Sequence, residues 1–244
     1  MPKSQIIKDV VEGKVDLEQS LNRLYILALD VKNAVLAEWA EKELNGYNTT
    51  DELPDYRKTV GLMLKYTGIN GGFQVTNQPL QPSFISKEHR DKLENIELFD
   101  GIRYLSELAS ADRPAERDIS FLAGDVLQVT SGQVQCISIK QIVPQPVYQK
   151  ACAEVKHRML QALVELENKY GCLDSLGIDI STQKLTQVEA DNAELNRTVF
   201  NINVPIPELP KEKLPSKIAW KIVIPIITGA VGAIIGVVFE RYVL

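Results

Sequence analysis

Histidine and cysteine are scarce in this chain, and most familiar catalytic equipment is missing with them. There are two histidines, His89 and His157, and three cysteines, Cys136, Cys152 and Cys172. No His-Glu-x-x-His, Cys-x-x-Cys, Gly-x-Ser-x-Gly or Walker-type loop occurs. The signatures of zinc hydrolysis, dithiol redox chemistry, serine hydrolysis and P-loop phosphoryl transfer are therefore absent. Gly68-Ile-Asn-Gly71-Gly72 has no Lys-Ser/Thr after it and reads as a turn. His157, with Glu154 and Glu165 nearby in sequence, reads as one half of a surface ion pair rather than as a metal ligand. The carboxylates of Asp51, Glu52, Asp55 and Asp174 read as solvated loop positions. No catalytic residue, metal or cofactor is expected, and the chain reads as a non-enzyme; an enzyme with an unfamiliar site is the remaining alternative. The odd, widely spaced cysteines read as reduced, buried thiols of a cytosolic compartment.

Charge is missing from one long stretch. Ile222 to Phe239 is 18 residues without a charged side chain. As a helix it spans about 27 Å, just short of a bilayer's hydrocarbon core. A buried helix or strand is the alternative, since Ile and Val suit strands, but strands usually run to about 10 residues at most. Eleven Ile, Val and Phe residues favour insertion by roughly 3–7 kcal/mol, and Pro225, Thr228 and three glycines offset part of it. Lys217, Trp220 and Lys221 before the span, with Arg241 and Tyr242 after it, fit membrane-interface anchors. A transmembrane helix over 218–241 follows, with the lysine-rich side cytoplasmic by the positive-inside rule. Gly229, Gly232 and Gly236 lie near one stripe and include a GxxxG, a spacing that lets helices pack closely in lipid. Such glycines are also common in membrane helices generally.

The N-terminal side lacks an apolar signal-peptide core: residues 1–20 carry Lys3, Lys8, Asp9, Glu12, Lys14, Asp16 and Glu18. The net charge is −5, and residues 211–244 hold five basic and two acidic residues, so the body carries −8. An acidic body disfavours non-specific nucleic-acid binding and flat adsorption to anionic lipid.

Within the body, residues 4–12 read as a short amphipathic helix ended by Gly13. Asp16 caps a long stripe of Leu17, Leu21, Leu24, Ala28, Val31, Val35 and Trp39, closed by Asn45-Gly46. Short strands are expected around Gly71-Gly72, then a loop over residues 77–82. Ser86 is expected to cap a helix over Glu88–Ile96, followed by a helical piece with Ile102, Leu105 and Leu108. Ala109–Glu116 reads as a loop or helix junction. Gln133–Val143 reads as a strand. A strong helix over about 147–170 follows, with Cys152, Val155, Met159, Ala162, Leu163 and Leu166 on its apolar face and Gly171 at its end. Gly177–Ile180 is a possible strand or turn, and residues 186–203 a possible strand extension. Pro205, Pro207, Pro210 and Pro215 make residues 204–217 an extended Pro/Lys-rich linker.

Trp39-Ala-Glu-Lys-Glu-Leu-Asn-Gly-Tyr47 and Leu53-Pro-Asp-Tyr-Arg57 resemble the signature of the AbiTii family, a helical bacterial domain associated with phage-defence loci. The late helix with Leu166-Glu167 near its end fits the same pattern, so the resemblance covers about residues 3–185. It implies an α+β, predominantly helical cytoplasmic domain with a small β portion over 1–185, here followed by one C-terminal transmembrane helix. It implies a defence context and a sensing or assembly role, and it carries over no catalytic residue. Trp39, Glu43, Gly46, Tyr47, Pro54, Tyr56 and Arg57 are expected to form a folding clasp or a ligand site, with Arg57 pairing with Glu43 or Asp55.

Two functions remain from these observations. One is an antiphage effector in the bacterial inner membrane, single-pass, with its short C-terminus outside. Its body senses a phage-derived or infection-linked trigger, expected to be a protein, and homo-oligomerises so that the tails permeabilise the membrane. Its resting state is either inserted or soluble with the tail covered. The other is a membrane-anchored adaptor or antitoxin-like binding module.

Overall fold

Amphipathic stripes at helical spacing in the first 45 residues produce three helices: α1 (Gln5–Glu12), α2 (Leu17–Asp30) and α3 (Ala34–Asn45). The structure, a computed structural model, describes residues 3–175 and 177–202. The linker over 204–217, the span over 218–241, Gly229, Gly232, Gly236, Lys217, Trp220, Lys221, Arg241 and Tyr242 lie outside those residues. Among the described residues, no helix is long and apolar enough to cross a membrane.

Gly13 closes α1 with φ +69°, and the Asp16 carboxylate caps α2 by accepting from Gln19 N. The stripe from Leu17 to Trp39 is two helices rather than one. Lys32 takes φ +54°, and Asn33 caps α3 by accepting from Leu36 N. Val35 is exposed and leaves the expected stripe, and α3 instead buries Leu36, Ala37, Trp39, Ala40 and Glu43, a change of face that periodicity alone does not register.

Two small sheets follow. β1 (Lys58–Val60) pairs antiparallel with β4 (Asn95–Glu97). β2 (Met63–Asn70), β3 (Phe73–Pro79), β5 (Ala115–Asp118) and β6 (Val134–Val143) form a four-stranded antiparallel sheet in the order β3-β2-β6-β5. The Gly71-Gly72 turn joins β2 to β3 with both glycines at positive φ. Four expectations need correcting here. β3 runs through Pro79 into the expected loop, and the helix α4 (Lys87–Glu94) stops before Asn95, which enters β4. Residues 115–118 are a strand, formed because β6 offers them a partner edge. Nor does the Ser86 side chain cap α4: its Oγ meets His89 Nδ1 at 3.1 Å, and its N donates to Asp125 at 2.7 Å.

Helices α5 (Ile102–Ser110), α6 (Ala123–Val129), α7 (Gln145–Tyr170) and α8 (Leu185–Phe200) complete the order. The expected apolar face of α7, from Cys152 to Leu166, is buried throughout. Residues 186–203, anticipated as a strand extension, fall on the helix α8 as far as Phe200, and Gly177–Ile180 forms no strand. The α8 stripe of Val188, Asn192, Leu195, Asn196 and Val199 contains two asparagines, so no apolar period marks it. Its polar positions reach distant parts of the chain: Asn196 Oδ1 accepts from Asn33 at 3.0 Å, and Asn192 Nδ2 donates to Val31 O at 2.8 Å, while Asn192 Oδ1 is buried without a partner among the described residues.

One core joins α1, α2, α3, α5, α7 and α8 through residues such as Leu24, Leu36, Ile102, Met159 and Leu195. A second lies under the four-stranded sheet, with Tyr66 and Ile139 against Leu93, Leu122 and Val126. The three cysteines are free, but only Cys152 is buried; Cys136 is half-buried and Cys172 exposed. His157 is exposed and makes no ion pair among the described residues, because Glu154 is taken by Arg158 at 3.1 Å.

Candidate functional site

Trp39, Glu43 and Tyr47 follow one another at four-residue spacing, which puts the first two on one face of α3 and the third just past its end. Gly46 provides the exit. It adopts φ +92°, and a Cβ there would sit 2.6 Å from Phe99 O. Gly101 makes the reciprocal approach, where a Cβ would lie 2.3 Å from Leu44 O. Both glycines are needed because the two backbones nearly touch, and Tyr47 N donates to Phe99 O at 2.7 Å across the junction. Pro54, with φ −59°, opens a single 3-10 turn over Asp55–Arg57 that returns Tyr56 and Arg57 to the same place.

The structure brings all seven motif residues together around a buried ion pair. Arg57 Nη2 donates to Glu43 Oε2 with both side chains fully buried; Asp55 is not its partner. Arg57 Nη1 donates to the carbonyls of Leu98 at 3.1 Å and Asp100 at 2.5 Å. The other Glu43 oxygen accepts from Tyr47 Oη at 2.7 Å and Tyr56 Oη at 2.6 Å, and Trp39 Nε1 donates to Tyr56 Oη at 2.9 Å. The guanidinium lies 5.0 Å from the Tyr47 ring centroid. Only Arg57 Nε in this side chain has no hydrogen-bond partner. Burial, then the Glu43 charge, pushes both tyrosine hydroxyls far above their ordinary range, so they remain donors at any physiological pH.

Three participants carry no signal in the motif. Arg158 of α7 stacks over the Tyr56 ring at 4.8 Å and donates to Val199 O at 3.4 Å. Phe200 meets Trp39 with ring centroids 5.5 Å apart. The carbonyls of Leu98 and Asp100, in the segment that follows β4, receive Arg57. Each is distant in sequence, and none belongs to a recognisable spacing. Through Arg158 and Phe200 the cluster grips the last turn of α8.

A second constellation fastens the chain's beginning to the end of α7. Ser4 N and Oγ donate to Glu167 at 2.5 Å, Lys3 pairs with Glu167 at 2.7 Å, and Gln5 N donates to Asp174 at 2.6 Å. The first N–H groups of α1 are thus capped by carboxylates from elsewhere, which also suits the helix dipole. The Lys3 and Ser4 hydrogen bonds hold the Glu167 carboxyl down at about 2.

An open groove lies beyond the Leu98–Asp100 segment. It encloses about 300 Å³ between β4, α5, β5, β6 and the start of α7, and it is lined by Glu97, Asp100, Tyr104, Arg117, Gln141 and Tyr148 among others. No group of three or more His, Cys, Asp or Glu side chains is placed to hold a metal among the described residues.

The family model for AbiTii matches residues 4–193. The match contains the whole Trp39–Arg57 motif and stops within α8, before Val199 and Phe200. No curated protein and no solved structure matches the chain.

Proposed function

This chain belongs to the AbiTii family, and from that premise we propose that it is an abortive-infection antiphage protein: its body senses an infection-linked partner, and its C-terminal segment acts at the membrane. Membership in the family supports phage defence. The saturated Glu43–Arg57 cluster carries the rest of the reading. Every oxygen and terminal nitrogen of that pair already has a protein partner, so the motif supports the body as a rigid clasp and not as a site of turnover. A non-catalytic body must act by binding, and the uncharged run from Ile222 to Phe239 supports a membrane as the place of action. One span encloses no pore, so the effector reading requires self-association, for which Gly229, Gly232 and Gly236 supply a packing stripe.

Phage challenge of the full chain and of residues 1–216, with uptake of a membrane-impermeant dye as readout, tests the reading. Dye entry on infection with the full chain only is the expected outcome, lost in Gly232→Leu and Gly236→Leu. Protection by the truncation without dye entry would establish the adaptor instead.

A further inference from the structure

The register of two strand pairs fixes which backbone groups they leave unsatisfied. Leu98 N donates to Arg57 O and Gly61 N to Glu94 O. Between these lie the pairs Lys58↔Glu97, Thr59↔Ile96 and Val60↔Asn95. Hydrogen-bonded and non-bonded pairs alternate in an antiparallel ladder. The N–H and C=O of Asn95 and Glu97 therefore point away from β1. The same alternation runs back from Ile119 N, which donates to Ile139 O, through Arg117↔Gln141 to Glu116↔Ile142. The backbone groups of Glu116 point away from β6. Asn95, Glu97 and Glu116 all line the groove of about 300 Å³, so two strand edges flank one cavity without pairing to each other.

The lining states what chemistry would satisfy those edges. Leu98, Leu108 and Val143 supply apolar surface, and Tyr104 and Tyr148 supply rings with polar tips. Gln141 lines the groove at 2 % exposure, and its Nε2 donates to Leu93 O at 2.8 Å. Three carboxylates, those of Glu97, Asp100 and Glu116, face one guanidinium, that of Arg117. Lys140 neutralises Glu116 at 2.5 Å, while Glu97 and Asp100 have no ion-pair partner among the described residues. An anionic nucleotide or nucleic acid is disfavoured in such a lining. A cationic segment is favoured, and an extended one uses the open edges as a strand.

We propose that the groove between β4, β5 and α5 binds an extended, basic segment of a partner protein by strand addition, with Lys or Arg side chains meeting Glu97 and Asp100. The inference rests on the reading of the body as a sensor and names the chemistry of what it senses. Arg57 adds a physical link, because its guanidinium holds the carbonyls of Leu98 and Asp100, the wall of the groove, to the clasp that grips α8.

The test is selection of a random 12-residue peptide library against the full chain in mild detergent. Enriched sequences that alternate apolar and basic residues are expected. A synthetic binder should lose at least about tenfold in affinity on N-methylation of alternate backbone amides, which removes strand pairing. It should lose a similar factor against Glu97→Gln/Asp100→Asn, a variant that removes both charges at exposed side chains and leaves the thermal midpoint unchanged. Amide exchange at residues 95–97 should slow with peptide bound. Failure to enrich any sequence, or a binder indifferent to N-methylation and to the double variant, overturns the proposal. Infection-dependent dye entry that persists in the double variant would sink the groove as the trigger site and leave the effector reading intact. A variant-sensitive peptide with no dye entry in any infected cell would support the groove and sink the effector reading.

Discussion

Glu43 and Arg57 are the residues on which the signature turns. Removing one partner leaves the other charge buried and uncompensated, which costs about 3–5 kcal/mol. Glu43→Gln and Arg57→Met are each expected to lower stability by that amount in urea unfolding. Glu43→Gln/Arg57→Met should be less destabilised than the sum of the two, since no lone charge remains. Gly46 is constrained by both its positive φ and the approach of Phe99 O. Gly46→Ala should destabilise by more than about 1 kcal/mol, visible as a lower urea midpoint with unchanged slope. Glu167 makes stability depend on pH. Its folded value of about 2 lies below the ordinary 4.5, so its contribution is fully present above about 4.5 and is lost as pH falls toward 2. The stability difference between the wild-type chain and Glu167→Gln should therefore shrink over that window, as read from urea midpoints at several pH values. A difference that grew with acid would reject the assignment.

At the level of elements, α8 is the most conditional piece. Its own sequence carries no long apolar stripe, and its position depends on Asn196 with Asn33, on Asn192 with Val31 O, and on Lys169 between Asp191 and Glu194. Asn196→Ala strands a buried Asn33 amide and should cost about 1–3 kcal/mol. Phe200→Ala removes the ring partner of Trp39, and an aromatic pair contributes about 0.5–1.5 kcal/mol beyond its area. In both variants, amide exchange should accelerate over residues 185–200 while the centre of α7 keeps its protection. Uniform acceleration along the chain would show that α8 is part of the cooperative core. β4 and β5 teach the converse lesson: a few residues become strand when a neighbouring edge accepts them, whatever their own pattern.

Across the whole molecule, burial ranks the three thiols. Cys172 is exposed, Cys136 half-buried and Cys152 9 % exposed. Burial raises both the Cys136 and Cys152 thiols above their ordinary value, with a Ser106 hydrogen bond opposing it slightly at Cys152. Maleimide labelling followed by mass spectrometry should give the order Cys172, Cys136, Cys152, with Cys152 modified only through global opening. Early labelling of Cys152 would mean that α5 and α7 separate in the native state.

Local chemistry was sufficient for much of this body. The αL stop at Gly13, the Asp16 cap, the Gly71-Gly72 hairpin, the β6 run and the α7 stripe each follow from short-range sterics, capping and periodicity, and all could be read from the chain. So could the composition of the Trp39–Arg57 motif, and its Arg57–Glu43 pairing as one of two options. The break at Lys32–Asn33, the helical state of residues 185–200, the strand at 115–118 and the groove's open edges could not. Each depends on a partner far along the chain: Asn196 for Asn33, Lys169 for α8, β6 for β5, and the Leu98 and Asp100 carbonyls for Arg57. The sequence by itself determined which residues prefer to bend, cap or bury. Tertiary structure alone decided which distant polar groups satisfy one another, because a hydrogen bond or ion pair between remote residues leaves no periodic trace in either segment.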